Sequence, residues 1–522
     1  MKHLFRYILL LLLGGIIFCS NTNDTPAPPT PPAQQKSIVI LYENDVHGAV
    51  DGYPVIAGLR DAIAKSDTAW TGIVCSGDYL SGDAVCTLGK GSYIPRLMGS
   101  VGYDAVTLGN HEFDFGSSRL FELLLGMKAP VLCTNFLDCV DEYQVLPSYT
   151  IRTYGDKRVA FVGVLTPDTE YTEAYSFYDS DFKKIYDLCA DEVYDLVQTA
   201  VNEARDEGAD YVVVLSHLGE LPTESNVNSV GLVESTNGID VVLDGHSHSV
   251  IEALYVQNKD GKTIPITQTG TKFANIGKLL IKDGHITTKL IPLADCHYSS
   301  PTVSAVLDEV KKETGAILDQ NIGTTDFDLT INDAQGQRLC RLDETNLGDL
   351  ITDVMLDALP GDMSLINGGG IRATIPAGTI TYGLAVDAFP FINYLCSIEA
   401  TGAQLLDMLQ KCTKSLPQED GSFPHVSGMK YTIHTVSHTV SDVQIYNRTT
   451  SAYEPLDQSK TYTVTTIDYY RGGGFYDTLL DCKLLNMTDM LLLNKLVEYI
   501  QKHQTIDEKY RNSKGRITKV EN

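Results

Sequence analysis

The hexapeptide Gly109-Asn110-His111-Glu112-Phe113-Asp114 places an amide, an imidazole and carboxylates directly after the strand-like run from Asp104 to Leu108. His111 and Asp114 are three residues apart, so one helical turn would set an imidazole against a carboxylate that orients it. That pair suits general acid chemistry or the stabilisation of developing charge. Gly109 allows close approach of another backbone or a ligand. Alone, the hexapeptide reads equally as a turn whose Asn and Asp bond local backbone.

Four further stretches bear on that choice. Asp45 and His47 follow the run 37–42, Asp78 follows 72–75, His217 follows 211–215, and His246 and His248 follow 240–243. Singly, each has a plain explanation as a turn aspartate or a satisfied histidine. Jointly, an Asp-x-His pair, an aspartate, an asparagine and three more histidines make a donor set for two borderline transition metals. Asp78, ionised and bidentate, is the natural bridge between them. The donors suit zinc, manganese and cobalt alike.

These residues need elements to carry them. From Ser37 to about Ala294, short β-branched runs alternate with helical patterns, which predicts an α/β domain. Five runs deliver their polar groups at their C-terminal ends, the edge where α/β sheets bind ligands. The segment from Pro301 to Gln320 carries Val303, Val306, Leu307, Val310, Ile317 and Leu318 among Glu and Lys, the pattern of an amphipathic connecting helix. Beyond it, Thr, Tyr, Gly and β-branched residues surround helical patterns near 346–359 and 401–412. The expected division is 37–296 for a metal-bearing domain, 297–323 for the linker and 324–516 for a smaller α+β domain.

The chain begins with Lys2, His3 and Arg6, an apolar run from Ile8 to Phe18, and Cys19. This is the pattern of an export signal, too short to span a membrane. Its cysteine resembles the lipobox of bacterial lipoproteins, with Phe18 where a small residue is usual. Lipidation of Cys19 and ordinary secretion both remain open. Asn21 to Gln35 holds five prolines among small polar residues and predicts a tether over 20–36. The predicted location is therefore outside the cytoplasm, in the cell envelope, with a lipid anchor as the membrane link.

Sixty-seven acidic against 40 basic residues give a formal charge of −27, which argues against nucleic acid as a partner. An anionic small substrate needs a local positive site. Ten cysteines follow Cys19 without a Cys-x-x-Cys pair; Cys75 and Cys133 lie in apolar runs and are expected to be buried thiols.

Asn44-Asp45-Val46-His47-Gly48, Ser76-Gly77-Asp78, the opening hexapeptide, Ser216-His217-Leu218-Gly219 and Asp244-Gly245-His246-Ser247-His248 together resemble the metallophosphoesterase domain of the 5′-nucleotidase and UDP-sugar hydrolase family. The resemblance implies a β-sandwich flanked by helices and a centre of two divalent metal ions. Asp45, His47 and His248 would hold one ion and Asn110, His217 and His246 the other, with Asp78 bridging. His248 stands where several members have Gln or Asn. His111 and Asp114 match the family's catalytic pair.

The second domain resembles the C-terminal domain of the same family, through Cys340-Arg341, Glu344-Thr345-Asn346-Leu347-Gly348-Asp349-Leu350 and Asn367-Gly368-Gly369-Gly370-Ile371-Arg372. Three glycines let backbone lie against a ligand, Gly369 among them, and two arginines offer forked donors for phosphate. By resemblance Arg341, Asn367 and Arg372 contact the nucleotide, and Phe391 and Phe475 clamp its base. Asp481 would match a base-contacting aspartate. Gly474 departs from the family's acidic residue in the loop that carries Phe475.

The function implied is hydrolysis of nucleoside 5′-monophosphates to nucleoside and phosphate. The same centre would serve UDP-sugars, nucleoside di- or triphosphates or 2′,3′-cyclic nucleotides. A surface nucleotide-binding protein without turnover and a sulfur-compound hydrolase of related fold are the other readings.

Overall fold

The computed structural model describes residues 36–173, 176–178, 183–221, 225–471, 479 and 481–521. The leader, Cys19, the tether and Phe475 lie outside the described residues.

Two six-stranded sheets face each other across residues 37–292. In the first, strands Ser37–Glu43, Ala69–Cys75, Ala105–Thr107 and Val131–Leu132 run parallel, and Asn275–Lys282 joins antiparallel beside Ser37–Glu43. In the second, Lys157–Leu165, Tyr211–His217, Val241–Leu243 and Thr263–Thr269 are parallel. Parallel sheets must be covered on both faces, so their strands read as continuous β-branched runs. Ile38, Ile40 and Val74 from one sheet and Phe161, Val213 and Leu243 from the other form the apolar seam between the sheets. Helices cover the outer faces: Val39, Leu41 and Ile73 pack against Ile56 of helix Gly52–Lys65. The architecture is the α/β sandwich that the sequence implied.

Helix Pro301–Leu318 starts with proline at its first turn, where no backbone donor is needed. It buries Val303, Leu307 and Val310, while Ile317 is exposed. The helix packs on Gly52–Lys65 and Tyr93–Val101 on one side and on Tyr382–Ala388 on the other, so it touches both halves of the chain.

The C-terminal half centres on a mixed sheet ordered Pro424–Ser427, Met363–Asn367, Thr461–Ile467, Tyr394–Thr401 and Lys483–Leu491. Helices Asn346–Ala358, Gly402–Thr413 and Leu492–His503 accompany it, the first two on the predicted segments. The final strand Ile517–Val520 lies past the expected boundary at 516, and it pairs in parallel with Met429–His434. Arg516 anchors this end: its Nη1 donates to Val426 O at 2.7 Å, and it pairs with Asp353 and Asp349. Cys75 and Cys133 are buried free thiols, as expected from their apolar runs. No helix among the described residues is long and apolar enough to cross a membrane.

Candidate active site

The five predicted strand ends converge where the C-terminal edges of the two sheets meet. After strand Ser37–Glu43, Asn44 Oδ1 accepts from Thr269 N at 2.8 Å and Thr269 Oγ1 at 2.7 Å, while its Nδ2 donates to Asp45 Oδ2 at 2.6 Å. The amide thereby fixes the carboxylate of Asp45. The backbone bends sharply here: Asp45 (φ 51°), His47 (46°), Asp78 (60°), His246 (77°) and His248 (57°) are all left-handed. Each such non-glycine residue costs on the order of 1 kcal/mol, strain that persists only where surrounding structure imposes it.

Side chains from these turns form two groups around Asp78. In one, His47 Nε2 lies 3.0 Å from His248 Nε2 and 3.5 Å from Asp78 Oδ2, and His248 Nε2 lies 3.3 Å from Asp45 Oδ1. In the other, His217 Nε2 is 3.3 Å from Asp78 Oδ2, and His246 Nδ1 is 3.0 Å from Asn110 Oδ1. Ligand atoms bound to one ion at about 2.0 to 2.2 Å stand roughly this far from one another.

Three observations show that the residues fit cations. His217 donates Nδ1–H to Ser76 O at 2.6 Å, which turns Nε2 toward Asp78, yet this buried nitrogen has no hydrogen-bond partner. Burial pulls His217 down, but Asp78 and Asp45 override it and push it up to about 10, so the position calls for positive charge. Burial, with the charge of His217 added, lowers His246 to about 4, which keeps its imidazole in the neutral form that binds metals.

Beside this cluster, His111 Nδ1 lies 3.0 and 3.1 Å from the two oxygens of Asp114, and Ser81 Oγ holds Asp114 from the other side. Asn110–Phe113 is a single 3-10 turn, the helical turn that the three-residue spacing required. Burial opposes protonation of His111, but Asp114 and then Asp78 outweigh it, so its net shift is upward. Gly109 is needed because a Cβ there would stand 2.2 Å from Asp78 Oδ1.

Glu112, inside the hexapeptide but assigned no role from sequence, organises the turn. Its carboxylate accepts from the backbone N–H groups of Asp78 (2.7 Å), Tyr79 (2.7 Å), Leu80 (2.9 Å) and Gly109 (2.6 Å). It therefore clamps the Asp78 loop to the His111 loop. Burial, reinforced by Asp78, pushes its carboxyl up to about 7.

A cavity of about 540 Å³ opens from Asp78, Asn110, His111 and His248 toward the C-terminal half, where Arg341, Asn367, Gly369, Arg372 and Phe391 line it. Phe391 stacks on the His111 ring with centroids 5.5 Å apart, and Arg372 lies 5.6 Å from the Phe391 ring. The Asn367 side chain keeps an unpartnered buried Oδ1. Asp481 is exposed and does not line the cavity. Glu173, Arg338, Glu419 and Tyr469 line it without having been singled out in the sequence. Glu173, on a loop with no recognisable motif, comes within 4.8 Å of His111 and Asp114 through its carboxylate.

Fold and site together define a two-part, metal-dependent phosphoester hydrolase. The calcineurin-like phosphoesterase model matches residues 38–250, and the 5′-nucleotidase C-terminal domain model matches residues 321–481. The chain belongs to the 5′-nucleotidase family of calcineurin-like phosphoesterases, whose centres use two divalent metals. It is 26% identical over 486 residues to the trifunctional nucleotide phosphoesterase protein YfkN of Bacillus subtilis, covering 84% of this chain and 32% of that protein. It thus spans about a third of that relative. Protein UshA of Escherichia coli is 25% identical over 534 residues, with 92% of this chain and 94% of that protein covered. Among solved structures, a 5′-nucleotidase precursor from Thermus thermophilus shares the fold with a TM-score of 0.78 at 24% identity, covering 93% of this chain and all of that one (100%).

Proposed function

We propose that the protein hydrolyses nucleoside 5′-monophosphates to nucleoside and phosphate outside the cytoplasm. One observation carries this reading: a single cavity joins the His111–Asp114 pair and the carboxylate–imidazole cluster to Arg341, Arg372 and Phe391. A phosphate ester with an aromatic base has the shape and charge for those two ends.

In this reading Asp45, His47 and His248 would hold one cation and Asn110, His217 and His246 the other, with Asp78 available to both. The two cations would supply positive charge for the phosphoryl oxygens and acidify the attacking water. The chain's own residues do the rest. Arg341 and Arg372 grip the phosphate from the opposite wall, their forked donors matching its oxygens. Asp114 accepts Nδ1–H of His111, which keeps the imidazole protonated and leaves Nε2–H for the charge that develops on the phosphoryl group. Phe391 and Phe475 would stack the base, and Asn367 and Gly369 would take polar edges of the nucleotide. Asp481 is retained as a base contact only through family resemblance. Residues 37–296 carry the chemistry and 324–516 the grip, so binding energy from the base and sugar helps to position the phosphoryl group.

The leader ending at Cys19 and the proline-rich tether support export and a lipid anchor. Release of inorganic phosphate from AMP by metal-loaded protein tests the activity, with UDP-glucose and a 2′,3′-cyclic nucleotide run beside it. Turnover of the cyclic nucleotide or UDP-glucose without AMP would replace this reading. Mass spectrometry of the mature N-terminus tests the anchor.

A further inference from the structure

At the outer end of the cavity, Arg338 Nε donates to Glu419 Oε2 at 2.8 Å, and its Nη2 bonds the same oxygen. Both residues line the cavity, and their side chains are 38% and 37% exposed, so the pair stands at the solvent mouth. The segment bearing Glu419 is fastened to the phosphate-gripping wall: Asp420 N donates to Arg341 O at 3.2 Å, and Gly369 N donates to Gly421 O at 2.8 Å. Among the described residues, Arg341 and Arg372 make no ion pair of their own.

Charge is therefore graded along this wall. The two inner guanidinium groups face the cavity without a direct ion pair, Glu419 acting on Arg341 and Asp114 and Asp78 on Arg372 only from farther off, while the outer one is paired. A phosphate monoester dianion matches the inner pair. A second phosphoryl group adds negative charge toward the mouth, where it meets the Glu419 carboxylate and an arginine already engaged.

We propose that Glu419 is a selectivity determinant: by pinning Arg338 at the mouth it favours nucleotides with one phosphoryl group over nucleoside diphosphates. The inference rests on the nucleotidase reading of the site. Arg338 is the latent second-phosphate contact, and Glu419 withholds it. An ion pair this exposed is cheap to break, so the device sets a bias in the cavity rather than an absolute exclusion.

The test is kcat/KM for AMP and for ADP, by phosphate release, in wild type, Glu419→Gln and Arg338→Gln proteins loaded with the same metal. Glu419→Gln is expected to raise the ADP-to-AMP ratio of kcat/KM by roughly fivefold or more, as removal of one partly screened charge allows. Arg338→Gln, which leaves Glu419 facing the cavity alone, is expected to lower it. A ratio within about twofold of wild type in Glu419→Gln, or a shift in the same direction in both variants, overturns the proposal. Wild-type turnover of AMP in the same assay separates the two readings. Its absence removes the nucleotidase assignment itself, whereas AMP turnover with an unmoved ratio removes only the role of Glu419.

Discussion

The His111 imidazole lies against the Phe391 ring at 5.5 Å between centroids, with the planes 18° from parallel. The aromatic expected to stack a base thus touches the histidine expected to serve the phosphoryl group, although the two lie far apart in sequence. Phe391 thus contacts both His111 and Arg372, the two side chains assigned to the phosphoryl group.

Phe391→Ala is accordingly expected to raise KM for AMP by roughly tenfold to a hundredfold, since a stacked base contributes about 1 to 3 kcal/mol. Ribose 5-phosphate, which has no base, should show a much smaller change. Equal losses with both substrates would mean that Phe391 acts by supporting His111 rather than by stacking.

His111→Ala should lose about 10²- to 10⁴-fold in kcat while retaining bound metal by elemental analysis. Its raised proton affinity, owed to Asp114 and Asp78 against the pull of burial, fixes the sign of the pH effect. The protonated form persists as pH climbs and is lost above the raised pKa, so kcat falls on the alkaline side. In Asp114→Asn that falling limb should move to lower pH. An unmoved limb would detach the proton of His111 from the rate.

Much of this site was legible because its chemistry is local to strand ends. Asp45, Asp78, Asn110, His217 and His246 each follow a β-branched run, and a parallel strand must end somewhere with polar groups. What could not be read is what arises only when separate segments meet. The left-handed backbone at Asp45, His47 and His248 has no glycine to announce it. Glu112 looks like filler between His111 and Asp114 until the Asp78 loop folds over it. Strand Ile517–Val520 falls outside the expected domain because its partner, Met429–His434, is remote in sequence. Arg338 and Glu419 belong to two loops that only the tertiary fold brings to one cavity.

Glu112→Gln is expected to destabilise the protein by about 2 to 4 kcal/mol, because a neutral amide cannot serve four buried backbone donors. The same change should weaken metal binding, since it loosens Asp78 from His111. Thermal unfolding with and without added metal measures both effects. An unchanged Tm would show that the clamp is dispensable.

The contact between the two halves should itself depend on pH. Ala84 N donates to Asp387 Oδ1 at 3.1 Å, and Thr87 Oγ1 donates to Pro390 O at 2.9 Å, next to Phe391. Burial and then the neighbouring Asp83 push Asp387 up to about 6; burial also raises Asp83, with Lys272 opposing. The buried thiol of Cys86 stands close to Asp83 as well. A carboxyl raised in the folded state binds more protons there than in the unfolded chain, where its pKa is about 3.9. The stabilising contribution is therefore fully present below about pH 4 and is lost as pH rises through about 6. Hydrogen exchange at the Ala84 amide, corrected for its intrinsic pH dependence, should quicken between about pH 5 and 7 as the two carboxylates come to repel. KM for AMP should rise over the same interval, because the segment that loosens leads directly into Phe391. Asp387→Asn removes one titrating partner and keeps an acceptor for Ala84 N, so it should flatten both profiles. Profiles that keep their wild-type slope in Asp387→Asn would place the pH dependence elsewhere in the cavity.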